Sequence, residues 1–101
     1  MNESYRNKAQ LRLCQMILLM AGKEFDGVQP SSLAKALNTN PSNVTRDLAN
    51  LEEAGFAARI GDSDNWRLGP KVIQVAVNFA HAFQQSQERV LELKQRYTVE
   101  R

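Results

Sequence analysis

One cysteine and one histidine are all that 101 residues contain of the side chains that most often bind metals or form covalent bonds. Cys14 has no second thiol for an internal disulfide, and no standard zinc-ligand spacing can be assembled from Cys14 and His81. No glycine-rich phosphate loop is present, and no pairing of side chains points to a nucleophile with its base. The sequence therefore predicts no enzyme, no metal and no cofactor. Long apolar runs are also missing. The richest stretch, Leu11 to Ala21, is too short for a membrane span and carries Arg12 and Gln15. The chain begins Met-Asn-Glu-Ser, without a basic-then-apolar leader, so a cytoplasmic protein away from membranes is expected.

Charge of one sign is lacking too. Residues 1–55 hold six basic and six acidic side chains, and residues 56–101 hold seven and five. No polybasic tail can anchor the chain nonspecifically to nucleic acid. Any affinity for DNA must come from placed residues, or from doubling the surface in a dimer. The apolar share of 43% is enough for a modest single core in a chain of this length.

Turn and cap residues divide the sequence. Ser4 is placed to cap a first helix with Leu13, Ile17 and Met20 on one face, flanked by Cys14 and Met16, that stops near Gly22. At this spacing Cys14 is expected to be a buried thiol. Pro30 suits the first position of a short helix, Ser31 to Leu37, with Leu33, Ala34 and Leu37 as its apolar stripe. Asn38 is a left-handed stop. Asn40-Pro41 opens a third helix, whose first turn gains a side-chain acceptor and loses an amide that had no partner. That helix runs to Ala54 and ends at Gly55. So short a turn between two helices predicts a helix-turn-helix.

Beyond Gly55 the period changes to two. Phe56, Ala58 and Ile60 alternate with Ala57 and Arg59, and Trp66-Arg67-Leu68 alternates again after the turn Gly-Asp-Ser-Asp-Asn. This predicts a β-hairpin with Arg59 and Arg67 facing away from the core. Gly69-Pro70 ends the hairpin and opens a last helix to about Tyr97. The expected fold is mainly α with a small β-hairpin: a winged helix-turn-helix over residues 1–69, then a C-terminal helix over 70–101.

The third helix carries the functional signal. At 100° per residue, Leu48 and Leu51 fall within about 40° of Val44 and form a narrow inward stripe. The other side bears Ser42, Thr45, Arg46, Ala49 and Asn50. Arg46 can take a guanine edge with two hydrogen bonds, Asn50 suits adenine or a phosphate, and Ser42 and Thr45 suit phosphates or a thymine methyl. Asp47 is read as favouring the dipole at the start of the helix, and Glu52 and Glu53 confine contact to the N-terminal half. Arg59, Arg67 and Lys71 are placed to reach the backbone or minor groove. The acidic tip, Asp62 to Asn65, is not expected to enter a groove, and Trp66 is expected in the core.

Three segments now bear comparison with a known family: Leu33-Ala34-Lys35-Ala36-Leu37, Pro41-Ser42-Asn43-Val44-Thr45-Arg46 and Leu51-Glu52-Glu53-Ala54-Gly55-Phe56. Together they resemble the N-terminal DNA-binding domain of IclR-type transcriptional regulators. Trp66-Arg67-Leu68-Gly69-Pro70-Lys71 is similar to that family's second wing strand and the start of its linker helix. The resemblance covers roughly residues 8–80, and its first block is shared with MarR-like repressors. It implies a tri-helical winged fold, dimeric promoter binding and transcriptional control. By position it implies Ser42, Asn43, Thr45 and Arg46 as DNA contacts. IclR-type regulators carry a larger effector-sensing domain, and no small-molecule effector is expected of this chain.

In the last helix Val72, Ala76, Phe79, Phe83, Ser86, Val90, Leu93 and Tyr97 recur at alternating spacings of four and three. That is a coiled-coil-like seam. Its first part is expected on the first helix. Its later part is expected on a second copy, with Phe79, Phe83, Val90, Leu93 and Tyr97 at a homodimer contact. The expected function is sequence-specific binding of double-stranded DNA by a dimeric transcriptional regulator, a repressor. The alternatives are a protein-interaction module on the same scaffold and an accessory factor of a DNA-processing complex.

Overall fold

A computed structural model describes residues 3–98. A turn of 3-10 helix at Glu3–Tyr5 precedes α1 (Lys8–Met20), α2 (Pro30–Ala36) and α3 (Pro41–Ala54). Two antiparallel strands follow, β1 (Ala57–Arg59) and β2 (Trp66–Leu68), and the described chain closes with α4 (Pro70–Thr98).

The helix starts are set by local chemistry. Asn7, not Ser4, caps α1: its side chain accepts from the Gln10 amide at 3.0 Å, while Ser4 lies in the preceding 3-10 turn. Pro30 opens α2. Asn38 takes a positive φ of 51°, and the Thr39 amide donates back to Ala34 O at 3.0 Å. The next residue but one, Asn40, caps α3 by accepting from the Asn43 amide at 2.8 Å. The turn between α2 and α3 therefore closes on its own hydrogen bonds.

One core lies among α1, α2, α3 and the hairpin. It consists of Met16 and Met20, Leu33 and Ala34, Val44, Leu48 and Leu51, with Ala57, Trp66 and Leu68. β2 is central to this arrangement. It pairs with β1 on one side, and on the other Trp66 exchanges two 2.8 Å hydrogen bonds with Val28 of the connector.

Beyond the cap of α1, four expectations are corrected. The parity of β1 is reversed: Ala57 is buried and Phe56 exposed, because Ala57 lies opposite Leu68 and Ala58 opposite Arg67. Cys14 is exposed, since α1 turns Met16 and Met20 inward rather than the Cys14 side. Asp47 lies in the second turn of α3 and is buried, so its role is not at the helix dipole. Finally, the first part of α4 does not pack along α1. The hairpin strand β2 holds that place, and α4 contributes only Val72 to the edge of the core. No residue of the 29-residue α4 is buried, and the chain extends 68 Å along its long axis.

Two glycines set the direction in which α4 leaves. Gly55 ends α3 at φ 84°, a left-handed conformation that other residues adopt only at a cost. Gly69 then crosses directly over that turn, donating to Phe56 O at 2.9 Å, while the Lys71 amide donates to Gly55 O at 3.0 Å. A Cβ on Gly69 would collide with the Gly55 carbonyl and the Ala57 amide, backbone atoms that cannot rotate aside. Gly69→Ala is therefore expected to destabilise the fold by about 2–3 kcal/mol, the upper range for overpacking. A shift of the urea midpoint measures it, and an unchanged midpoint would show that this crossing is not tight.

Candidate nucleic-acid interface

The exposed side of α3 begins with the residues that its buried side fixes. Val44, Leu48 and Leu51 face the core, and Asp47 completes that stripe. Asp47 meets Arg12 of α1 through two bonds, Nε to Oδ2 and Nη2 to Oδ1, the latter at 3.1 Å. A planar guanidinium matches a carboxylate in this two-point geometry, so the pair holds an angle as well as a distance. The hydrogen bond to Asp47 raises the already high pKa of Arg12, so the guanidinium keeps its charge. Asp47 is the buried charged residue among those described.

On the opposite side, Ser42, Thr45, Arg46, Ala49 and Asn50 are exposed and Asn43 is half-buried. The polar groups are ordered by one another. Asn43 Nδ2 donates to Thr39 Oγ1 at 2.8 Å, and its Oδ1 accepts from Arg46 Nη2 at 2.9 Å. Thr45 Oγ1 donates to Pro41 O, and Asn50 Nδ2 to Arg46 O, both at 3.0 Å. The Arg46 guanidinium has five N–H donors, so its bond to Asn43 leaves most of them for an incoming acceptor. The face is thus a row of polar groups, with Arg46 the main source of free donors and small Ala49 allowing close approach. Its N-terminal half bears no carboxylate on the exposed side.

The structure brings together Ser42, Asn43, Thr45, Arg46 and Asn50. The other three candidates lie elsewhere. Arg59 does not point away from the core face: it sits on the side of β1 that carries Ala57, opposite Trp66, with its guanidinium 5.1 Å from the centre of the indole ring. There it lines an open groove with Gln29, Pro30, Ser31 and Asp64. Arg67 does face outward, and its Nη1 lies 3.5 Å from Glu24 O. The stem of Lys71 rests against Gly55, beyond the C-terminal end of α3 and about 20 Å along the helix from Ser42. Sequence reasoning missed Thr39. The i, i+4, i+7 spacing of Thr39, Asn43 and Arg46 was the available signal, although Thr39 itself lies outside the helix.

No family model and no curated protein matches the chain. Solved structures do. HmgR of Pseudomonas aeruginosa superposes with a TM-score of 0.66 at 19% identity, over 77% of this chain and 33% of its own. An IclR transcriptional regulator of Alicyclobacillus acidocaldarius gives 0.64 at 23% identity, over 75% of this chain and 30% of its own. The Zalpha domain of cyprinid herpesvirus 3 ORF112, solved for its binding to Z-DNA, gives 0.53 at 20% identity. It covers 58% of this chain and 93% of its own. The chain spans about a third of the length of the two bacterial proteins. The likeness shows the fold, a winged helix-turn-helix.

Arg12→Ala leaves the buried Asp47 carboxyl without its partner, and is expected to cost about 2–3 kcal/mol. The double variant Arg12→Met, Asp47→Leu is expected to recover most of that loss, because an apolar pair needs no ionic partner. Thermal unfolding of the three proteins checks this. A single-variant loss below about 0.5 kcal/mol would place the pair with ordinary surface salt bridges.

Proposed function

We propose that this chain is a sequence-specific DNA-binding transcriptional regulator, a repressor, that acts as a homodimer on double-stranded DNA. The observation that carries the reading is the two-sided construction of α3. One side is locked to α1 by the Arg12–Asp47 pair, and the other presents Ser42, Asn43, Thr45, Arg46 and Asn50 without a competing carboxylate in its first half.

A major groove admits an α-helix and displays a distinct donor and acceptor pattern for each base pair. In this reading α3 enters by its N-terminal half. Arg46 reads guanine O6 and N7, and Asn50 reads adenine or holds a phosphate. Ser42, Thr45 and Asn43 position the helix on the backbone. Arg67 on the outer side of the wing contributes charge to the phosphates, and Arg59 does so from the groove beside α2. Lys71, at the far end of α3, is a peripheral contact. The likeness in fold to transcriptional regulators and to a Z-DNA-binding domain supports the class. Residues 1–69 carry the DNA contacts, and residues 70–101 carry dimerisation through Phe79, Phe83, Val90, Leu93 and Tyr97. Two reading heads offset the mild basicity of each, and a dimer sitting on a promoter blocks transcription by occupancy. The reading requires no small-molecule effector.

One observation favours a second reading. An α4 with no buried residue also suits a module that docks on another protein.

Selection of duplexes from a random library, followed by a salt series, separates the readings. The regulator is expected to enrich one sequence, with Arg46→Ala weakening that site by roughly 5- to 150-fold, about 1–3 kcal/mol, and relaxing one base position. Affinity is expected to fall as salt rises, with the slope set by the phosphates contacted. Equal affinity for every duplex would overturn sequence-specific control. No binding at low salt would overturn the DNA reading altogether and leave the docking module.

A further inference from the structure

Alone, α4 is an incomplete object. It is 29 residues long, so it extends about 43 Å, and every apolar side chain along its seam is solvent-exposed apart from Val72 at its start. Phe79 and Phe83 stand next to one another on the seam, with ring centroids 6.2 Å apart. Isolated helices draw little stability from propensity alone, so a face of this kind calls for an occupant. The sizes and charges along the seam say which occupant it fits, and in which direction.

We infer that two copies of this chain pair along α4 in antiparallel orientation, with the two-fold axis between Gln84 and Gln85. This rests on the homodimer proposed above and specifies its geometry. The seam runs Val72, Ala76, Phe79, Phe83, Ser86, Val90, Leu93, Tyr97. In a parallel pair each residue meets its own copy. Two consecutive layers would then hold two phenylalanines each, while Ala76 and Ser86 would leave under-filled layers on either side. Overfull and empty layers are both destabilising.

The antiparallel pair removes the mismatch at every layer. Ala76 meets the partner's Leu93, Phe83 meets the partner's Ser86, Phe79 meets the partner's Val90, and Val72 meets the partner's Tyr97. Leu93 and Phe83 face small side chains, Phe79 and Tyr97 face valines, and no layer holds two aromatic rings or two small residues.

Charge gives the same answer independently. The positions flanking the seam are Ile73, Val75, Ala80 and Ala82 in the first half, and Gln87, Arg89, Lys94 and Arg96 in the second. A parallel pair sets Arg89 against the partner's Lys94 on both sides, with no carboxylate at a flanking position to relieve it; Glu88 and Glu92 lie on the outer surface of the helix. In the antiparallel pair the basic second half lies along the apolar first half. Lys94 then lies over the partner's Ile73, Arg96 over the partner's Val75 and Arg89 over the partner's Ala82. Their aliphatic stems cover apolar surface while their charged ends remain in water. The two winged domains leave from opposite ends, their attachment points at Pro70 about 44 Å apart along the axis.

The test places a nitroxide on the outer side of α4 in the full chain, in a Cys14→Ser background, and measures the distance to its twin by pulsed dipolar spectroscopy. Gln84→Cys lies near the axis and Gln95→Cys far from it, and neither residue is in the seam. The antiparallel pair predicts a short separation for the Gln84 label and about 30–40 Å for the Gln95 label. Separations under about 25 Å for both would show a parallel pair and overturn this inference while leaving the dimer. A monomer mass by sedimentation, with no dipolar signal from either label, would overturn the dimer itself.

Discussion

The Arg12–Asp47 pair decides how α3 sits. The three apolar residues facing inward from α3 form a narrow stripe, and a narrow stripe alone lets a helix roll about its axis. Two parallel bonds from a planar guanidinium to a carboxylate remove that freedom, because rolling α3 would break at least one of them. Taking two charges out of water makes such a pair a poor source of net stability. Its contribution here is orientation. With Asp47 held toward α1, Ser42, Thr45, Arg46 and Asn50 are presented on the other side, and the Thr39–Asn43–Arg46 hydrogen bonds arrange them further.

The junction of Gly55 with Gly69 is the second fixed point. It brings the end of α3, the base of the hairpin and the start of α4 within hydrogen-bonding distance of one another. Because β2 covers α1, α4 finds no groove on its own domain and leaves it after Val72. The exposed seam therefore follows from the packing of the first 69 residues. A candidate DNA-binding face on a domain of only mild basicity and a helix with an unfilled face both fit the proposed dimer, in which pairing would supply the missing burial and a second such face.

Much of this architecture was legible in the sequence where local chemistry is decisive. Asn40-Pro41, Gly55 and Gly69-Pro70 act through caps, a left-handed turn and a missing amide, and each marks an element boundary. The failures have one cause, which is that tertiary partners were invisible. Asp47 read as a surface acid because nothing local announces Arg12, 35 residues earlier. Phe56-Ala57-Ala58 gave the wrong parity because a three-residue strand holding two alanines carries almost no hydrophobic alternation. Cys14 was assigned inward because Leu13 and Ile17 are, yet Met16 and Met20 set the buried face of α1. Arg59 reads as facing away from the core because the Trp66 ring that it covers comes from the other strand.

The most direct test of the whole account is a map of amide chemical shifts as a selected duplex is added to the isotope-labelled chain. The account predicts the largest changes from Ser42 to Asn50, smaller ones in the hairpin around Arg59 and Arg67, and little change along α4 beyond Lys71. Changes concentrated in α4, with α3 silent, would contradict it.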